Sequence, residues 1–190
     1  ATAARVREYV RAGGNLLATF ETSLYDELGE RRADFALADV FGASSTGSVR
    51  GPRKWDYMSP AQPHPYFAGL ASRFLPSPVY YAGTKPGAAK VLARYTRKAI
   101  GPYDGESAPG PDAAILLNTF GKGKAVYVSG DLGSTLANYR MTDLHQLVEN
   151  VAHSLAPPEV VIEGAPGSLE LVVRSQNDGR RLLVHLVNFT

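Results

Sequence analysis

The alternation of apolar and polar positions along the chain divides it into a helix-and-strand part and a shorter strand-only part. Val6, Tyr9 and Val10 recur at helical spacing, with Arg5, Arg7, Glu8 and Arg11 on the other side, and Gly13-Gly14 stops the pattern. Asn15 to Phe20 (NLLATF) is a short apolar run of the length of a buried parallel strand. Glu21 to Glu30 then reads as a polar loop at that strand's carboxyl end, and Asp34 to Phe41 as a short helix ending at Gly42. Residues 43 to 78 are rich in Gly, Ser and Pro and read as a long irregular excursion, of the kind that is often functional or covered by a partner.

Val79 to Ala82 and Lys90 to Tyr95 read as strands, and residues 101 to 112 as a loop. Ala113 to Phe120 and Lys124 to Ser129 are apolar runs joined by Gly121-Lys122-Gly123, a hairpin pattern expected at or near a sheet edge. Leu144, Leu147, Val148, Val151 and Leu155 mark an amphipathic helix that Pro157-Pro158 terminates. Glu159 to Ile162, Leu169 to Arg174 and Arg180 to Phe189 alternate as strands, the last two joined by Asn177-Asp178-Gly179. A domain boundary is therefore expected near Pro157, between residues 1–156 and 157–190.

The 190 residues include 44% hydrophobic and 20% charged positions, enough for a real core. Twenty basic and 18 acidic residues leave a net charge of +2, which argues against a dedicated nucleic-acid binder. No apolar run approaches a membrane span. The chain has no cysteine, so disulfides and thiolate chemistry are excluded. Nothing calls for secretion, and a cytoplasmic location is expected. The chain opens on a helical pattern without Met or a preceding strand, so the sequence is expected to be a fragment.

No catalytic constellation, metal site or cofactor site emerges. Gly121 to Lys124 opens a strand rather than a helix, unlike a phosphate loop. His145, Glu149 and His153 share one helix face but lack the H-E-x-x-H order. Ser23 sits in E-T-S-L-Y, not G-x-S-x-G. The loop after the first strand is richer than a plain connector. It carries hydroxyls at Thr22 and Ser23, an aromatic at Tyr25, and carboxylates at Glu21, Asp26 and Glu27. Such groups hold sugars, and open α/β sheets place ligands at strand carboxyl ends. Glu21, Thr22, Ser23, Tyr25 and Asp26 are thus expected to line or buttress a sugar cleft, the alternative being a purely structural loop. Trp55, Tyr57, Tyr66 and Phe67 are of types enriched at interfaces, and are expected either there or folded back on their own core.

Three stretches together carry a resemblance: VREYVRAGGNLLATFETSLYDELGERRADFALADVFG, then TFGKGKAVYVSGDLG with a helix after it, then SLELVVRSQNDGRRLLVHLVNFT. They resemble the trimerisation domain of family 42 β-galactosidases and related glycosidases, most weakly over residues 43 to 112. The resemblance implies a flavodoxin-like, class I glutamine amidotransferase-like α/β fold with a mostly parallel sheet and flanking helices, followed by a small antiparallel β element. It implies a homo-oligomer, with a trimer favoured. The (β/α)₈ catalytic barrel and its carbohydrate would belong to the parent chain. The missing Cys agrees with lost amidotransferase chemistry. A small-molecule, carbohydrate-binding or sensing domain and a stand-alone hydrolase using Ser23 or a carboxylate stay open as alternatives.

Overall fold

The computed structural model describes residues 2–53, 56–97 and 108–189, which fall into two compact units, 1–156 and 157–190. In the first unit the elements run α1 (Thr2–Ala12), β1 (Leu16–Thr19), α2 (Ala38–Phe41), β2 (Ala43–Arg50), β3 (Tyr57–Pro60), a 3₁₀ turn (Pro65–Phe67) and β4 (Leu75–Pro76). There follow β5 (Tyr81–Pro86), β6 (Lys90–Thr96), β7 (Pro109–Phe120), β8 (Gly123–Val128), α3 (Leu132–Tyr139) and α4 (Thr142–Leu155). The second unit is a hairpin of β9 (Leu169–Gln176) and β10 (Arg181–Asn188).

The central sheet has the order β1-β8-β7-β6-β3-β4. Only β1 and β8 run parallel, while β8–β7, β7–β6, β6–β3 and β3–β4 are antiparallel. The expected mostly parallel, flavodoxin-like sheet is therefore corrected to a mixed one. The physical reason is that an apolar run specifies burial, not direction. A two-residue turn forces its strands antiparallel, whereas a parallel pair needs a long crossover. The β7–β8 hairpin lies inside the sheet, with β1 on its outer side.

Both faces of this sheet are covered. Along β8, Val126 and Val128 point into a core with Ile115, Leu92, Met58 and the α4 residues Leu144, Leu147 and Val151. Ala125 and Tyr127 point the other way, toward Val10 of α1, Leu24, Phe35 and Phe41. Two-sided burial explains why β8 reads as unbroken apolar sequence rather than alternation. The α4 helix spans the predicted residues and buries the predicted face.

The 43–78 excursion is less irregular than its composition indicates. It supplies β2, which pairs with β5 in a separate ribbon, and β3 and β4 at the far edge of the main sheet. These pairings join distant residues, so local composition does not reveal them. The expected strand at Glu159 to Ile162 does not form. Of the predicted 101–112 loop, residues 109–112 begin β7 and 101–107 lie outside the described residues. The helix α3 follows Asp131, whose side chain accepts from the Ser134 N–H at 3.3 Å as an N-cap.

The β7–β8 turn is fixed by close approach to α1. The Lys122 N–H donates to the Arg11 carbonyl at 3.1 Å. A Cβ on Gly123 would lie 2.1 Å from the Gly14 oxygen and 2.4 Å from that of Val10, so only glycine fits. In the hairpin of the second unit, Asn177, Asp178 and Gly179 all take positive φ, as the sequence predicts.

Candidate functional site: the groove at the carboxyl end of β1

The loop that leaves β1 turns sharply. Phe20 and Ser23 have φ of 51° and 70°, a left-handed conformation uncommon outside glycine. Hydrogen bonds hold it there. Tyr127 donates its hydroxyl to the Phe20 carbonyl, and Thr22 donates both Oγ1 and N–H to Thr19 O at 2.6 and 3.1 Å. Fully buried Leu24 anchors the loop in the core beside Phe35. Ser23 Oγ accepts from the Leu37 N–H at 3.3 Å, and its carbonyl from the Ala36 N–H at 3.0 Å.

Beyond Leu24 the loop carries charge. Tyr25 donates its hydroxyl to Glu21 Oε1 at 3.0 Å, and this bond raises the phenol pKa above its ordinary value. Asp26 Oδ1 accepts from the N–H groups of Glu30 and Leu28, each at 2.9 Å. Those bonds, Glu30 first, hold its carboxyl below the usual carboxylate range. Arg32 contacts Glu27 at 3.4 Å and donates to the Tyr25 carbonyl at 3.3 Å.

Thr22, Ser23, Tyr25, Asp26 and Glu27 line a groove of about 460 Å³ bounded also by α1 and by Ala36 and Leu37, which lead into α2. Of the predicted residues, Glu21 stands behind Tyr25 and does not line it. The sequence reading missed the opposite wall, Val6, Arg32, Ala36 and Leu37. The helical apolar stripe of α1 is the signal that could have placed Val6. The wall is set by Arg7, which pairs with Asp39 of α2 at 2.7 and 3.0 Å and donates to the Ala36 carbonyl at 2.6 Å.

Three of the four aromatic residues expected at an interface are described, and they differ in burial. Tyr66 is only 3% exposed and lies in the core, and Phe67 packs partly buried against it. Tyr57 is half-buried, edge-on to Phe74 at 6.1 Å. Trp55 lies outside the described residues.

His145, Glu149 and His153 are exposed along α4. Among the described residues no group of three or more His, Asp or Glu converges as a metal site, and no helix is long and apolar enough to cross a membrane. Ser23 has its hydroxyl engaged by backbone, with no hydrogen-bonded base beside it among the described residues.

The fold and groove thus define a two-sided mixed α/β unit with a shaped polar loop at the carboxyl end of β1. The chain belongs to the β-galactosidase trimerisation domain family, whose profile matches residues 1–154. Among solved structures it resembles the cold-adapted β-galactosidase from Rahnella sp. R3, with a TM-score of 0.73 at 19% identity over 98% of this chain. It also resembles β-galactosidase from Bacillus circulans sp. alkalophilus, with a TM-score of 0.66 at 21% identity over 92% of the chain. A third is α-L-fucosidase isoenzyme 2 from Paenibacillus thiaminolyticus, with a TM-score of 0.67 at 18% identity over 98%. The chain spans 25%, 23% and 28% of those proteins respectively. At such identities the likeness is one of fold. No curated protein sequence matches the chain.

Proposed function

We propose that this chain is a non-catalytic accessory unit that assembles a β-galactosidase-like glycoside hydrolase into a homo-trimer, with catalysis carried by a barrel elsewhere in the parent protein. The observation that carries this reading is the family match across residues 1–154. Sedimentation equilibrium of the 190-residue chain tests it. The expected mass is three times 20.4 kDa, and a monomer at high concentration counts against the chain's own ability to associate.

Within that reading, the Glu21–Glu27 loop buttresses the sugar cleft of the assembled enzyme, across a subunit boundary. The groove supports this role, because it gathers carboxylate, hydroxyl and aromatic groups at a strand's carboxyl end. Many of these groups also hold the loop's own shape, which suits a rigid buttress better than a flexible contact. Of the aromatic residues expected at an interface, Tyr57 is half-buried and keeps part of its surface for a partner. A cytoplasmic location is part of the same proposal.

A further inference from the structure

The turn beyond Leu24 holds one aliphatic side chain out in solvent. Leu28 is 83% exposed, more than any other large hydrophobic residue among those described. A single exposed leucine is ordinary on a protein surface, but this one is held in place. Tyr25 and Arg31 bridge across the base of the turn. Between them the Asp26 N–H donates to the Glu30 carbonyl at 2.9 Å, and the Gly29 N–H to the Asp26 carbonyl at 3.2 Å. Asp26 Oδ1 accepts from the Leu28 and Glu30 N–H groups, and Gly29 supplies the positive φ of 80°. A side chain presented on so fixed a backbone loses little further freedom when a partner buries it. Its surroundings are acidic, with Glu21, Asp26, Glu27 and Glu30 against Arg31 and Arg32.

A cavity of matching character lies between β3, the segment before β5, and α3. It has a volume of about 350 Å³ and is walled by Tyr57, Pro76, Val79, Tyr139 and Met141, room for an aliphatic side chain. Arg53 and Asp56 also line it. They are ion-paired with each other, and the guanidinium lies over the rings of Tyr81 and Tyr95 at 5.2 and 5.4 Å, so the two add no net charge. The rim is different. Exposed Arg140, at the end of α3, sits between the wall residues Tyr139 and Met141. The nearby carboxylate, Asp143, accepts from the Ala71 N–H at 3.2 Å. The cavity thus offers a cation where the turn offers carboxylates.

The turn leaves β1, at one edge of the sheet, whereas the cavity lies by β3, four strand spacings away. At ~4.8 Å per spacing the two strands stand about 20 Å apart. One copy therefore presents the projection at one end and the receptor at the other. A contact between two different surfaces repeats from copy to copy and can close into a ring.

We propose that Leu28 of one copy docks in this cavity of the next copy, against Tyr57, Val79 and Tyr139, with Glu30 set against Arg140. The contact rests on the assembly role proposed above and supplies the interface for it.

Because the chain has no cysteine, an introduced pair reports the contact directly. A Leu28→Cys chain is mixed with a mass-tagged Tyr139→Cys chain and oxidised mildly. The disulfide joining the two variants is expected to outweigh either homodimer. In the cysteine-free chain, Leu28→Asp and Arg140→Glu are each expected to raise the dissociation constant of the assembly roughly tenfold in sedimentation equilibrium. Both side chains are exposed, so the melting temperature of the first unit should not change. Absence of the mixed disulfide, a product joining two Leu28→Cys chains in its place, or a Leu28→Asp chain that assembles like wild type overturns the contact. If wild type is nonetheless a trimer, the assembly role stands through another surface. A mixed disulfide from a chain that sediments as a monomer upholds the contact and counts against the assembly role.

Discussion

Arg7 grips Asp39 with two nitrogens, Nε at 2.7 Å and Nη2 at 3.0 Å, and so ties the first helix to the second across the wall of the β1 groove. The hydrogen bond from Arg7 is the main cause that lowers the Asp39 carboxyl below its ordinary value. A depressed folded-state pKa contributes stability above the unfolded value of ~3.9 that is lost as pH falls through the folded value. Because the pair is partly exposed, its worth is at most about 1 kcal/mol. Melting curves of wild type and Asp39→Asn are therefore expected to differ slightly at pH 7 and to converge only as pH falls from the unfolded value of ~3.9 through the lower folded-state value. A gap that persists in acid excludes the ion pair as its source.

Two glycines are expected to respond oppositely to alanine. At Gly123 the added Cβ meets the Gly14 and Val10 carbonyl oxygens, which are backbone and cannot swing aside. Gly123→Ala should cost about 1–3 kcal/mol or more by overpacking. Gly133, inside α3, has nothing within 4 Å of the new methyl. Gly133→Ala should stabilise by about 0.4–1 kcal/mol through helix propensity and chain entropy. Urea denaturation of both variants checks the pair.

Leu147, 1% exposed, is the centre of the α4 face that covers the sheet. Leu147→Ala should destabilise the first unit by about 2–5 kcal/mol. Exposed His145, two positions earlier on the same helix, should tolerate alanine within about 0.5 kcal/mol. Equal effects at the two sites, in chemical denaturation, would contradict the packing described.

Asp26 and Tyr25 separate shape from contact in the β1 loop. Asp26→Ala removes the acceptor for the Leu28 and Glu30 N–H groups, so hydrogen exchange at those amides should quicken. Tyr25→Ala, at a residue 44% exposed, should leave the fold intact. In the full-length assembled enzyme, the buttress role requires kcat/KM to fall for Tyr25→Ala. An unchanged ratio in a correctly assembled variant makes the loop structural only.

The elements that the sequence reveals are those encoded locally. The α4 stripe, the Gly121-Lys122 turn and the Asn177-Asp178-Gly179 turn each signal their own conformation within a few residues. Strand direction is not encoded that way, and so the sheet was expected parallel when one pairing is. Nor were β2, β3 and β4 legible, because Ser, Gly and Pro dominate there and the partners are distant. In the β1 groove, one wall is contiguous in sequence and was readable from its carboxylates and hydroxyls. The other is brought in by α1 and the start of α2, and nothing near Arg7 announces Asp39. Nor was the Arg53–Asp56 ion pair legible, since its surroundings are rings brought in from β5 and β6.

The lone parallel pairing sets an order of events during synthesis. Asn15 Oδ1 accepts from the Lys124 N–H, 109 positions along the chain, where β1 meets β8. As the ribosome works from the amino end, α1 and β1 are made well before β8, and β1 has no parallel partner until β8 follows. Closing so long a loop is slow compared with forming the β7–β8 hairpin, whose halves are adjacent. The β1 loop and its groove therefore take shape only once β8 is in place to receive them.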